Sequence, residues 1–314
     1  MEGFADRLIE RAIAAQSRII VGLDPAVEYF PAHLQAQLRQ NPTEAQLEET
    51  IVAFNRVVIE ATAAVAVAYK PQAAFYEQYG LSGMQALQRT LALLRDQGQL
   101  VIMDAKRNDV AHTARAYALA WLAPRHALFD APNPWHVDAL TLNGYLGSDG
   151  IQPFLTVNPE AGLFVLTKTS NPSSGELQDL PLWVDGVGRG GTVAEKMAEW
   201  VHQWGQSSVG GQGFANVGMV VGATYPETAR RLRRIAPHAL FLMPGIGAQG
   251  GSLDAIVAGA GPRGVGAYAA SSRGLLYPFR PEELADAEWS EQAAARIRAA
   301  AQALRGLVQE KLRS

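Results

Sequence analysis

A chain of 314 residues, 48% hydrophobic and 18% charged, is long enough to build one large core and has the composition of a globular protein. A formal net charge of −3 argues against nucleic acid or an anionic membrane as partner, while leaving room for a local basic pocket that takes one phosphate. The absence of cysteine excludes disulfides, thiol nucleophiles and thiolate metal sites.

The opening MEGFADRLIERAIAAQ is charged and amphipathic, unlike the basic–apolar–small order of a signal peptide. The longest apolar runs, such as 61–69, are far too short to span a bilayer, so a cytoplasmic protein is expected. Short apolar runs then recur, each followed by turn residues and a helical pattern. The first half predicts strands at 18–23 (RIIVGL), 65–69 (VAVAY), 100–103 (LVIM) and 138–142 (DALTL). The second half predicts strands at 163–167 (LFVLT), 217–221 (VGMVV), 239–243 (ALFLM) and 264–269 (GVGAYA). Continuous apolar runs suit parallel strands covered by helices. Helical periodicity occupies 45–64, where Leu47, Ile51, Phe54, Val58 and Thr62 share a face, and recurs at 82–96, 111–122, 193–204, 226–236 and 252–258. In the tail, Ile297, Ala301, Leu304, Val308 and Leu312 line one face, which should close the structure.

Eight strands alternating with helices predict one α/β domain over 1–314, a (β/α)₈ TIM barrel whose chemistry sits at the C-terminal strand ends. A doubly wound open sheet shows the same alternation and is the structural competitor. The segments 124–135 and 171–191 read as enlarged loops over the active face.

The sharpest chemical signal is Asp104-Ala105-Lys106-Arg107-Asn108-Asp109, directly after the third strand. Asp104 and Lys106, two apart on an extended chain, point the same way; Asp109 begins the next helix, with Thr113 one turn on. By itself the hexapeptide reads equally well as a solvated loop with Asp109 capping a helix. The other strand ends decide between the two readings. The first strand ends in Gly22-Leu23-Asp24-Pro25 and the second in Tyr69-Lys70-Pro71-Gln72, so three successive strands deliver charge to one rim. After the seventh strand comes Pro244-Gly245-Ile246-Gly247-Ala248-Gln249-Gly250-Gly251, and after the eighth Ser271-Ser272-Arg273-Gly274. Glycine N–H groups and an arginine in the last two loops of this fold favour a phosphate. The fifth strand leads into Thr167-Lys168-Thr169-Ser170-Asn171, which is either a hydrophilic loop or a set of groups that hydrogen-bond the edge of a base-like ring. None of the six histidines (His33, His112, His126, His136, His202, His238) forms a metal pair at helical spacing, so no metal is expected, and neither a Rossmann fingerprint after the first strand nor a Walker-type phosphate loop is present to suggest a nucleotide cofactor.

These motifs resemble the orotidine 5′-monophosphate decarboxylases, in particular their bacterial long-chain subgroup. The resemblance rests on DxKxxD, GLDP, YKPQ, KTSNPSSGELQ, PGIGAQGG and SSRGLLY, in that order between about Ile19 and Tyr277. It implies cofactor-independent decarboxylation of orotidine 5′-monophosphate to uridine 5′-monophosphate, with Lys106 as proton donor flanked by Asp104 and Asp109. It further implies that Asp24 and Lys70 hold the ribose hydroxyls and complete the charge network, and that Ser170 or Thr169 reads the pyrimidine. Gly247, Gln249, Arg273 and the Gly274 amide would grip the phosphate. Asp109 and Thr113 would reach into a neighbouring subunit's site, implying a homodimer. Asn108 stands where the subgroup usually has glycine, and Asn tolerates a positive φ there. The alternatives are a Mg²⁺-dependent sugar-phosphate decarboxylase or aldolase-like relative with the same DxKxxD rim, and a non-catalytic barrel that binds a phosphate ligand.

Overall fold

Residues rich in Val, Ile, Leu and Ala fill eight strands that pair in parallel, because each face of such a strand meets apolar side chains. The structure, a computed structural model, describes residues 2–39, 41–126, 128–184, 188–246 and 251–313. The strands are β1 (Ile19–Leu23), β2 (Ala66–Pro71), β3 (Ile102–Arg107), β4 (Ala139–Leu142) and β5 (Gly162–Lys168), then a two-stranded hairpin of β6 (Pro181–Val184) and β7 (Gly188–Thr192). They continue with β8 (Val217–Val221), β9 (Phe241–Pro244) and β10 (Ala267–Ser271). The main sheet runs in the order β2-β1-β10-β9-β8-β5-β4-β3. Its two ends meet: the Tyr69 N–H donates to the Leu100 carbonyl (2.8 Å) and the Ala73 N–H to the Asp104 carbonyl (3.1 Å). The sheet is therefore a (β/α)₈ barrel, and the open-sheet competitor is excluded.

Alternation along the strands divides two cores. Ile19, Val21, Met103, Leu140 and Val165 face the ring of helices, while Ile20, Ile102, Phe164, Val220, Leu242 and Tyr268 face inward. The inward set is capped from below by the first helix, Phe4–Ala14, which buries Phe4, Leu8, Ile9 and Ala12. Phe4 meets Phe164 edge to face at 6.0 Å, and a Cβ at residue 162 would lie 2.3 Å from the Phe4 ring, so glycine there admits the plug. The amphipathic N-terminus is thus part of the core. The helical ring follows the predicted order: Glu44–Thr62 and Val193–Gly205 each begin with a capping box, Thr43 with Gln46 and Thr192 with Glu195. The last helix, Trp289–Arg313, buries Ile297, Ala301 and Val308 and packs against Glu44–Thr62 and Leu253–Gly259, closing the ring as its pattern predicts.

One expectation is overturned. The segment 124–135 joins helix Ala111–Leu122 to the start of β4, so it lies at the N-terminal end of the barrel, away from the charged rim. There Arg95, in the last turn of the helix that leads into β3, donates to the carbonyls of Pro134 and His136. Helix-to-strand connections in this architecture always fall on the face opposite the strand C-termini. Of the other segment, 171–191, Asn171 and Gln178 line the cavity at the rim, and 181–184 pairs with 188–192 as a hairpin. No helix among the described residues is long and apolar enough to cross a membrane.

Candidate active site

Because all eight strands run the same way, their last residues share one rim, and the charges carried by β1, β2 and β3 converge there. Asp104 is the hub. Its Oδ2 accepts from Lys70 Nζ (2.8 Å), and its Oδ1 accepts from Lys106 Nζ (2.6 Å) and from Thr141 Oγ1 (2.9 Å). Lys70 is 6% exposed and Asp104 8%, so this pair lies in the protein interior, whereas the Lys106 side chain is 44% exposed toward the cleft. Burial alone would raise the Asp104 carboxyl, but the Lys70 and Lys106 ammoniums outweigh it and hold Asp104 ionised far below the ordinary carboxylate range. Burial likewise opposes the charge on Lys70; Asp104 and Asp24 reverse that and keep Lys70 above the usual lysine value.

Asp24 completes the row in a different electrostatic state. Burial pushes its carboxyl up, and Lys70 with a hydrogen bond from Ser272 draws it only partly back. Among the described residues its buried Oδ1 has no hydrogen-bond partner, leaving an acceptor for a ligand's donor. Packing fixes its position: the Tyr277 hydroxyl donates to the Asp24 carbonyl (2.9 Å) and the Tyr79 hydroxyl to that of Pro25 (3.3 Å). Gly22 permits the close approach of β10, since a Cβ there would lie 1.9 Å from Ser272 Oγ. Asp24→Asn is accordingly expected to raise the thermal midpoint of the unliganded protein while weakening any ligand that offers a hydroxyl pair. A lower midpoint in a melting experiment would sink this reading of Asp24.

Two cavities meet at this row. The inner one, ≈ 410 Å³, is lined by Lys70, Asp104, Lys106, Thr141, Thr169 and Gln178 among others. The outer one, ≈ 400 Å³, is bounded by Asp24, Tyr29, Gln72, Ser272, Arg273 and Gly274. Lys70, Ser170 and Pro244 line both, so the two form one continuous cleft. In the outer part the exposed Arg273 guanidinium lies 5.2 Å from the Tyr29 ring, and a Cβ at Gly274 would meet only open space. In the inner part the Gln178 side chain accepts from the Thr169 N–H (2.9 Å) and donates to Thr169 Oγ1 (2.8 Å), so loop 169–178 presents an ordered amide. That loop is anchored from below by Lys168, buried and bonded to both Asp179 oxygens (2.8 Å each) and to Ser174.

The structure thus brings Asp24, Lys70, Asp104, Lys106, Thr169, Ser170, Arg273 and Gly274 to one cleft. Within the chain it does not bring Asp109 or Thr113 there. The helix after β3 starts at Ala111 with Val110 as its cap, Asp109 Oδ1 accepts from the adjacent Val110 N–H, and Thr113 contacts His112. Gly247 and Gln249 lie outside the described residues. The strained backbone also falls elsewhere than expected. Lys106, not Asn108, has a positive φ (48°), so the chain from Asp104 to Lys106 is a bulge rather than a regular strand. Sequence reasoning missed Thr141, although it is the penultimate residue of β4 at the same rim and the same positional logic would have found it. It also passed over Gln178 as a lining group.

A closed (β/α)₈ barrel with a lysine–carboxylate network between a polar inner pocket and an arginine-bearing outer one defines an enzyme-type site for a small anionic ligand. A model of the orotidine 5'-phosphate decarboxylase / HUMPS family matches residues 17–276. An orotidine 5'-phosphate decarboxylase of Rhodopirellula baltica is 40% identical over 288 residues, covering 90% of this chain and 91% of the relative. One of Thermomicrobium roseum is 40% identical over 295 residues, 93% and 92% of the two chains. Among solved structures, the OMP decarboxylase of Leishmania donovani superposes with a TM-score of 0.67 at 34% identity, covering 96% of this chain and 99% of that one. The chain belongs to the orotidine 5'-phosphate decarboxylase / HUMPS family.

Proposed function

We propose that this protein decarboxylates orotidine 5′-monophosphate to uridine 5′-monophosphate, the last step of de novo pyrimidine nucleotide synthesis, without metal or organic cofactor. The observation that carries the reading is the Lys70–Asp104–Lys106 row, with the ammonium of Lys106 directed into the inner pocket. Loss of CO₂ from C6 of the pyrimidine leaves a carbanion with no adjacent carbonyl to delocalise it. The site must therefore supply a cation beside that carbon and a proton to quench it, and Lys106 does both. Asp104, held ionised, repels the substrate carboxylate by about 4 kcal/mol at about 4 Å with an effective dielectric of about 20. That is small beside barrier reductions that reach about 23 kcal/mol, so preorganised charge and binding energy from the phosphate supply most of the effect.

In this reading Asp24 accepts from the ribose hydroxyls through its unpartnered Oδ1, with Lys70 beside it. Ser170 and Thr169 read the pyrimidine edge, and Arg273, the Gly274 amide, Gly247 and Gln249 hold the phosphate at the outer end. Asp109 and Thr113, which do not line the cleft of their own chain among the described residues, complete the neighbouring site of a homodimer. The exposed Val110, Tyr145 and Leu146 flank them with apolar surface suited to that contact. The chain acts as one catalytic domain over 1–314 in the cytoplasm.

The Mg²⁺-dependent sugar-phosphate alternative is disfavoured by the donor set: both Asp104 oxygens are already taken by ammonium and hydroxyl donors. The test is the ultraviolet absorbance of orotidine 5′-monophosphate after adding purified protein with excess chelator. Loss of the orotate band with uridine 5′-monophosphate formed is the expected result. An unchanged band from folded protein that turns over a sugar phosphate with Mg²⁺ would overturn it.

A further inference from the structure

The β3–β4 ladder breaks at the reacting residues. Met103 pairs with Leu140 and the register resumes only at Arg107 opposite Leu142, so 104–106 have no backbone partners on β4. One side chain fills the gap. Thr141 Oγ1 accepts the N–H of Ala105 (3.0 Å) and the N–H of Lys106 (2.9 Å), and donates its own hydrogen to Asp104 Oδ1 (2.9 Å). One donor and two lone pairs are all that a hydroxyl has, and here every one is spent on the Asp104–Lys106 segment. Thr141 is 1% exposed, and its branched Cβ restricts χ1, so the hydroxyl has little freedom to point elsewhere.

The consequence for Lys106 is geometric. On a regular strand, residues two apart sit about 7 Å from each other with parallel side chains. Lys106 instead adopts a φ of 48°, a conformation that an L residue keeps only where its surroundings hold it. The left-handed turn folds its side chain back so that Nζ meets Asp104 Oδ1 at 2.6 Å. The group in position to hold that turn is the Thr141 hydroxyl, which bonds the Lys106 N–H and the Asp104 carboxylate together.

We infer that Thr141 is a positioning residue: it sets the left-handed backbone of Lys106 and the orientation of Asp104, and thereby the placement of the proton donor. This rests on the role given to Lys106 above. Thr141 itself need not touch the reacting atoms. Its contribution resembles that of outer-shell groups around a metal site, whose removal typically costs about 10–100-fold in activity.

The test compares Thr141→Val, which keeps the shape and removes the hydroxyl, with Thr141→Ser, which keeps the hydroxyl. Both are measured beside the wild type for kcat, KM and affinity for uridine 5′-monophosphate. The expected result is a fall in kcat of about 100-fold for Thr141→Val, with KM and product affinity within about threefold, and recovery to within about tenfold of wild type in Thr141→Ser. A Thr141→Val enzyme whose kcat stays within about threefold of wild type overturns the inference. So does a parallel loss of kcat and product affinity that serine does not rescue, since that is what a purely structural residue would give. If Thr141→Val does not fold, Thr141→Ala, which leaves space for a water at the freed N–H groups, is judged by the same criteria. Should the wild type prove inactive on orotidine 5′-monophosphate, the proposed activity falls, and a crystal structure of the variant decides the geometry separately. Lys106 with negative φ and Nζ withdrawn from Asp104 supports the inference, and an unchanged left-handed Lys106 overturns it.

Discussion

Lys106→Ala is expected to lower kcat by at least about 10⁴-fold while affinity for uridine 5′-monophosphate stays within about threefold of wild type. Two losses combine. A positioned general acid contributes about 10²–10⁴-fold, and a preorganised charge at the developing carbanion contributes a further factor of comparable size. Binding survives because the product carries no carboxylate for Lys106 to face, and its phosphate and ribose are held at the other end of the cleft. Folding survives because Asp104 keeps its interior partner Lys70 and its bond from Thr141 when Lys106 is gone. The check is steady-state decarboxylation alongside calorimetric titration with product. Residual turnover within about tenfold of wild type would remove Lys106 from its role.

Asp104→Asn should be nearly as damaging to turnover and should also cost stability, which separates it from the first variant. The substitution deprives the buried Lys70 ammonium of its direct ion-pair partner, and breaking a buried pair from one side costs about 3–5 kcal/mol. Asp24 remains nearby and moderates the loss, so the lower end, about 3 kcal/mol, is the expected value. For a chain of this size that lowers the thermal midpoint by roughly 4–5 °C.

The pH dependence carries a sign that can be checked. The folded-state value of Asp104 is depressed, so its stabilisation is present above the unfolded carboxylate value of about 4 and is lost as pH falls through the lower folded value. Asp24, raised by burial, works in the opposite sense: its contribution is present in acid and lost as pH rises through its folded value. Lys70, held above its usual value, contributes below about 10.4 and loses that contribution at higher pH. The stability gap between wild type and Asp104→Asn should therefore narrow as pH falls below about 4. A gap that stays constant into strong acid would show that the Asp104 charge is not its source.

Much of this site was legible before any coordinates. Asp24, Lys70, Asp104 and Lys106 each follow a short apolar run, and in a parallel barrel every such run ends at the same rim, so strand periodicity alone gathers them. The placement of Asn171 and Gln178 at the rim follows from the same logic, because they come after a strand, whereas 124–135 comes after a helix and so belongs to the opposite face. Asp109 illustrates a different limit. Its sequence distance from Lys106 allows contact, but the helix begins at Ala111 and the Asp109 carboxylate accepts from the adjacent Val110 N–H instead.

The amino-acid sequence by itself determined the alternation of strand and helix and the row of charges at the strand ends, because those properties are written in local periodicity; closure of the sheet into a barrel was decided by the pairing of β2 with the start of β3. Only the tertiary structure decided that the first helix plugs the barrel floor against Phe164, that Lys70 and Lys106 share one carboxylate, and that Lys106 is held left-handed by Thr141. Thr141 and Asp104 are 37 positions apart, and their hydrogen bond exists because two neighbouring strands fall out of register at one point. Periodicity records which face of an element is buried. It does not record which atom on the next element completes a hydrogen bond, and in this site that atom orients the reacting group.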